Sequence, residues 1–151
     1  MKAERIQDVL AYAVSFHAEL AKFYAGCMVN AENERMKMIC KYLVSHENRL
    51  QKGLLDYLES AQGSFLNSWV QFSNCPEKFA EMRETMSGSE PSLEKIESLT
   101  IELYQCIACQ FEQMAGHVDS DEAREIFRAV AAEEKKELKK LGRNFQTFSD
   151  I

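Results

Sequence analysis

Apolar residues recur along this chain in four blocks, at alternating steps of four and three. The first block is Ile6, Leu10, Ala13, His17, Leu20, Tyr24 and Cys27; the second is Met36, Ile39, Leu43, Glu47, Leu50, Leu54 and Tyr57. The third is Ile96, Leu103, Tyr104, Ile107, Phe111 and Met114, and the fourth is Phe127, Val130, Glu134, Glu137 and Leu141. This period places each block on one face of a helix, and predicts helices over about 3–29, 34–60, 92–116 and 121–145. The first two are separated only by the polar run at 30–33, so they form an antiparallel hairpin. Asp119-Ser120-Asp121-Glu122 supplies a capping residue and acidic side chains for the start of the fourth helix.

The segment 61–92 breaks the rhythm. Gly63, Pro76, Gly88 and Pro91 interrupt it. Phe65, Trp69 and Phe72 fall on one face of a short helix, and Phe79, Met82 and Met86 repeat that after Pro76. About thirty residues exceed a simple loop, so the expected role is a crossover running the length of a bundle with its aromatics laid on the outside. A substrate lid is the alternative. The domain is therefore one unit over 1–151, with hairpins at 3–60 and 93–148 around a crossover at 61–92.

The two hairpins repeat one another. Glu47 and Glu134 lie 87 residues apart, and the same offset pairs Ile39 with Ile126, Leu54 with Leu141, Ala21 with Ala108 and Tyr24 with Phe111. Each copy sets one glutamate in an apolar stripe. A carboxylate there is costly unless a metal, a proton or a hydrogen-bond donor satisfies it. The pattern predicts an all-α four-helix bundle with a polar centre.

Charge narrows the partners. With 24 acidic against 18 basic residues, a net charge of −6 and a pI near 5.2, the chain lacks the basic footprint of a nucleic-acid binder. No apolar run approaches the roughly 18 residues of a membrane span. Glu4 and Asp8 interrupt any signal-peptide core, and the expected compartment is the cytoplasm. The five cysteines are odd in number and are expected as small apolar packing residues without disulfides. Cys106 and Cys109 form a C-x-x-C on a helix without a second pair, which leaves thiol redox chemistry as the alternative to packing. Neither a Ser/His/Asp set nor a phosphate loop stands out.

The strings Ala13-Val14-x-x-His17-x-x-x-x-x-Phe23-Tyr24 and Leu43-x-x-x-Glu47-x-x-Leu50-x-x-x-Leu54 resemble helices A and B of the ferritin-like superfamily, most closely its rubrerythrin-type branch. The resemblance spans both hairpins. It implies a ferritin-like bundle whose centre holds two irons, with one Glu on each of two helices and Glu-x-x-His on each of the other two. Carried over position by position, the ligand set is degenerate. His17 stands for the first glutamate, and Glu47 is kept with Leu50 for its histidine. Tyr104 stands for the third-helix glutamate, and Glu134 is kept with Glu137 for its histidine. The Cys-rich iron module of rubrerythrins has no counterpart after residue 148.

Two functions follow. One is a non-catalytic binding or structural module with a metal-free polar core, in which protonated His17 pairs with Glu47, Tyr104 donates to Glu134, and Glu137 meets a water or takes up a proton. The other is an oxidoreductase handling peroxide or oxygen, with a single iron, zinc or manganese ion held by His17, Glu47, Glu134 and Glu137. His46 points about 100° from Glu47 around its helix and is expected outside the centre, and His117 sits at a helix end. Val9, Phe16 and Phe23 make a second apolar stripe on the first helix, which with Trp69 and Phe72 predicts an exposed face and a homodimer.

Overall fold

Alternating apolar steps become four long helices in the computed structural model, which describes residues 2–31, 33–61, 63–72, 80–81, 84 and 92–149. Helix α1 spans Ile6–Asn30, α2 Glu34–Ser60, α3 Leu93–Ala115 and α4 Asp121–Ser149. Each of the last three begins with a side-chain cap. Asn33 Oδ1 accepts from Met36 N–H at 2.8 Å, Ser92 Oγ from Lys95 N–H at 3.1 Å and Ser120 Oγ from Ala123 N–H at 3.2 Å. Helix α4 outruns its expected end at 145, with an aromatic at that end and another beyond it packed on the bundle. Phe145 is fully buried, and the Phe148 ring meets Tyr42 of α2 edge-on at 5.6 Å.

Helices α1 and α2 pack as one hairpin and α3 and α4 as the other. The hairpins join through side chains. Tyr24 of α1 shares a 2.5 Å hydrogen bond with Thr100 of α3, and Asn144 of α4 donates to the Tyr42 hydroxyl of α2. Apolar burial supplies most of the stabilisation, with Phe16, Leu20, Phe23, Leu43, Leu103, Phe111, Phe127 and Leu141 in one continuous core. The all-α bundle expected from the sequence is the observed architecture.

Two local expectations are corrected. Residues Lys2–Arg5 form a strand, β1, rather than the first turn of α1, and they pair antiparallel with a second strand, β2, at Trp69–Phe72. The register matches Lys2 with Phe72 and Arg5 with Trp69, and Ile6 N–H closes the junction on Ser68 O at 2.9 Å. The aromatic run expected as a helical face is thus a 3₁₀ turn, Ser64–Asn67, followed by β2. A strand's period of two puts Val70 inside, while Trp69 stays 64% exposed with the Arg5 guanidinium 5.5 Å above its ring. Gly63 starts the turn at φ 132°, a conformation closed to most other residues. The expected aromatic face after Pro76, with Phe79, Met82 and Met86, lies outside the described residues.

The second correction concerns the outer stripe of α1. Val9, Phe16 and Phe23 are at most 1% exposed within the single chain. Phe16 is covered by Tyr104 of α3, their rings 5.7 Å apart. Among the described residues, the large apolar side chains that remain exposed are Val29 near the end of α1, Met38, Leu55 and Tyr57 of α2, and Trp69 of β2, and they do not continue that stripe. Among the described residues no helix is long and apolar enough to cross a membrane.

Candidate functional site

The centre of the bundle is built on mid-helix positions of all four helices. His17 comes from α1, Glu47 from α2, Tyr104 from α3, and Glu134 and Glu137 from α4. Each lies in an apolar stripe, so the packing of its neighbours turns it inward. All five are buried, from Glu47 and Tyr104 at 0% exposed to Glu137 at 6%.

His17 bridges the two halves. Its Nδ1 lies 2.6 Å from Glu47 Oε2 and its Nε2 2.8 Å from Glu134 Oε1. The Tyr104 hydroxyl donates to the other oxygen of Glu47 at 2.7 Å. The sequence expectation that Tyr104 would donate to Glu134 is therefore corrected. The imidazole spans the centre and reaches Glu134 itself, which leaves the phenol to Glu47.

Electrostatics fix the protonation of this trio. Burial would depress the His17 pKa, but the Glu134 charge and the hydrogen bonds to Glu134 and Glu47 outweigh it and raise it from 6.5 to about 10. His17 is thus an imidazolium at neutral pH, with both N–H groups donating. Burial pushes the Glu47 carboxyl up, and the hydrogen bonds and charge of His17 and the Tyr104 donor pull against it. Burial, and after it the Glu47 charge, drives the Tyr104 phenol well above its usual value, so it stays neutral and donates.

His46 is nearer the centre than its helical angle predicts. It is 1% exposed, with Nε2 3.5 Å from both the Tyr104 hydroxyl and Glu137 Oε2. These are electrostatic approaches rather than good hydrogen bonds. Arg49 donates to its Nδ1 at 3.2 Å, which assigns the ring proton to Nε2. Burial, then the charges of Arg49, Lys140 and His17, lower its pKa to about 4, so it is neutral. The signal missed in the sequence was the i, i+3 pair His46–Arg49, in which the guanidinium satisfies the ring's Nδ1. His117 follows the end of α3 and is exposed, away from the centre.

A cavity of about 260 Å³ opens beside the trio, between α2 and α4. Leu50, Leu54 and Val130 form its apolar wall, and His17, Glu134 and Glu137 border it as well. Among the described residues, the buried side-chain polar atoms without a hydrogen-bond partner are Gln110 Oε1, Glu134 Oε2 and Glu137 Oε2. Two of the three thus belong to residues of this cavity.

The donor set does not suit two irons. Both nitrogens of the His17 imidazolium carry protons donated to carboxylates, so the ring has no lone pair to give a metal. Both Glu47 oxygens accept hydrogen bonds, Leu50 has no donor atom, and the Tyr104 phenol keeps its proton. Among the described residues no group of three or more His, Cys, Asp or Glu is arranged to hold a metal ion.

The cysteines depart from expectation at one position. Cys27 and Cys40 are buried thiols that pack, and Cys109 is an exposed thiol. Cys106 is in a disulfide, its partner outside the described residues, so the C-x-x-C is not a dithiol pair.

Comparison with known proteins places the fold. No family model matches the chain, and no curated protein matches it in sequence. A solved structure described as a candidate ferritin-like diiron-carboxylate protein from Thermotoga maritima superposes with a TM-score of 0.67 over 97% of both chains, at 15% identity. At that identity the likeness speaks for architecture alone. The chain has the fold of a ferritin-like four-helix bundle.

Proposed function

We propose that this protein is a ferritin-like bundle of rubrerythrin type whose di-iron centre is replaced by a fixed organic cation, and that it acts as a non-catalytic binding or structural module. One observation carries the reading. The His17 imidazolium lies between Glu47 and Glu134, bonded to both at 2.6 and 2.8 Å, where its positive charge does for the carboxylates what a metal would otherwise do. The Tyr104 hydroxyl completes Glu47 and removes it further from service as a ligand.

A single-metal oxidoreductase draws support from the unpartnered Glu134 and Glu137 oxygens. Two carboxylate oxygens fall short of the four to six donors that zinc, manganese or iron require, and of the other residues lining the cavity only Glu133 could add a ligand, since Leu50, Gly53, Leu54 and Val130 have no side-chain donor atom and Arg49 is a cation. A homodimer remains part of the proposal as an assembly state, without the outer stripe of α1 as its interface.

Metal analysis of protein purified without chelators, with its visible spectrum, tests the reading. The expected result is less than one iron, zinc or manganese per chain and no absorption of an oxo-bridged pair. Two irons per chain would overturn it. Installing the missing ligands together, His17→Glu, Leu50→His and Tyr104→Glu, is expected to raise iron uptake, because the change removes the competing cation and adds donors at once.

A further inference from the structure

We propose that the cavity between α2 and α4 binds a linear aliphatic polyamine, with one ammonium group seated on Glu134 and Glu137. The inference rests on the metal-free centre argued above and assigns that binding module a ligand class.

Glu134 and Glu137 stand three residues apart on one face of α4 and are 3% and 6% exposed. Each keeps one oxygen without a hydrogen-bond partner. An acceptor buried in this way calls for a donor from elsewhere. The nearest protein cations do not answer. His17 spends both nitrogens on Glu47 and on the other oxygen of Glu134; Arg49, which also lines the cavity, hydrogen-bonds His46; and the neutral His46 ring comes no nearer to Glu137 Oε2 than 3.5 Å, too far for a good hydrogen bond. A primary ammonium carries three donors and no acceptor, which matches two acceptor-only groups.

The space beside them is shaped for a chain. Gly53 borders the cavity from mid-helix α2, and a Cβ placed there would meet nothing within 4 Å. Glycine is a poor residue for a helix interior, yet here its missing side chain leaves the cavity clear. Leu54 and Val130 offer methylene-sized apolar contact, and both also border an adjoining groove of about 560 Å³. Phe65 and Ile126 line the apolar part of that groove, and Glu122, Glu125 and Glu133 are its charged residues, with no Lys or Arg among them. At 1.5 Å per residue, Glu122 and Glu133 lie about 16 Å apart along one face of α4. A tetra-amine spans that reach, laying methylenes on the apolar part and further ammonium groups beside the outer glutamates. A four-carbon diamine does not. An anionic ligand would meet carboxylates at both ends, and a metal ion would leave most of the volume unfilled.

Isothermal titration of the full chain with spermine tests this, with the metal content of the same sample measured in parallel. The expected result is one spermine per chain, weakened by about tenfold or more in Glu137→Gln, as loss of a charge-assisted hydrogen bond implies. Gly53→Leu should abolish binding while helical circular dichroism and the melting temperature stay at or above those of the parent chain, since leucine suits a helix and fills open space. Should Glu137→Gln fail to fold, Gly53→Leu decides alone. Binding that survives Gly53→Leu would be diffuse attraction to a protein of net charge −6 and would overturn the proposal. No heat with spermine at millimolar concentration in metal-free protein would overturn the polyamine site and leave the metal-free centre standing. A stoichiometric metal lost in Glu137→Gln would overturn both.

Discussion

In the first hairpin, Glu47 has both oxygens bonded, one to His17 and one to Tyr104, and the next turn of the same face carries Leu50. In the second, the equivalent Glu134 has one oxygen bonded and one unpartnered, and the residue equivalent to Leu50 is Glu137, also with an unpartnered oxygen. Gln110 Oε1 belongs to the second hairpin too. The inequality comes from one pair of equivalents. His17 has two donors on opposite edges of its ring and reaches both carboxylates, whereas Tyr104 has one hydroxyl and reaches Glu47. A repeated apolar stripe reproduces helices and their packing, but polar satisfaction depends on single atoms and does not repeat with it. The first half is thereby closed, and the second keeps open acceptors beside a cavity.

The largest effect on this comparison is expected at His17. Replacement by leucine leaves Glu47 and Glu134 buried without their cation, and breaking such a pair costs about 3–5 kcal/mol. Urea unfolding should show a loss of that size; a loss under about 1 kcal/mol would mean the bridge does not hold the halves together.

The same residue sets a pH dependence. Its folded pKa is raised from 6.5 to about 10, so its contribution is complete below pH 6.5 and is lost as pH rises through 10. Stability should therefore fall across that window, by at most about 1.4 kcal/mol per pH unit. His17→Gln should flatten the alkaline slope, as read from denaturation midpoints between pH 7 and 9.5. An unchanged slope would assign it to another group.

Tyr104→Phe probes the closed half alone. Removing the hydroxyl leaves Glu47 Oε1 buried and unpaired, at a cost of about 1–3 kcal/mol. The effect should be smaller than that of His17→Leu, because the charge pairing survives. Smallest is Glu137→Leu, which makes the second half match the first at Leu50. Exchanging a buried carboxylate whose Oε2 has no hydrogen bond, only the 3.5 Å approach of His46 Nε2, for an apolar side chain should be neutral or stabilising by about 1 kcal/mol. A clear loss of stability would show that the approach of His46 is a structural pairing.

Much of this arrangement is legible in the sequence. Helical period and capping residues mark the four long helices, and the boundaries of α2 agree residue for residue with those expected at 34–60. The inward positions of Glu47 and Glu134 follow from the same stripes. The ribbon was not legible, because Lys2–Arg5 and Trp69–Phe72 are four residues each and gain their pairing from a partner over sixty positions away. The partner of Tyr104 was not legible either. Whether a phenol meets Glu47 or Glu134 depends on which carboxylate oxygen the imidazole has already taken, and no residue pattern encodes that choice. The outer stripe of α1 misled for a related reason, since the period shows that Phe16 and Phe23 are apolar on one face but not that α3 and its Tyr104 ring cover part of it.

The chain has a single tryptophan, and β2 presents it to solvent with Arg5 over its ring. Its emission is therefore an optical marker for the junction between the chain start and the crossover rather than for the helical core. A short two-stranded ribbon opens more readily than a packed bundle. Fluorescence and far-ultraviolet dichroism, followed through the same urea titration, should give separate curves, with the indole reporting the earlier event. Coincident curves would show that the ribbon and the four helices unfold as one cooperative unit.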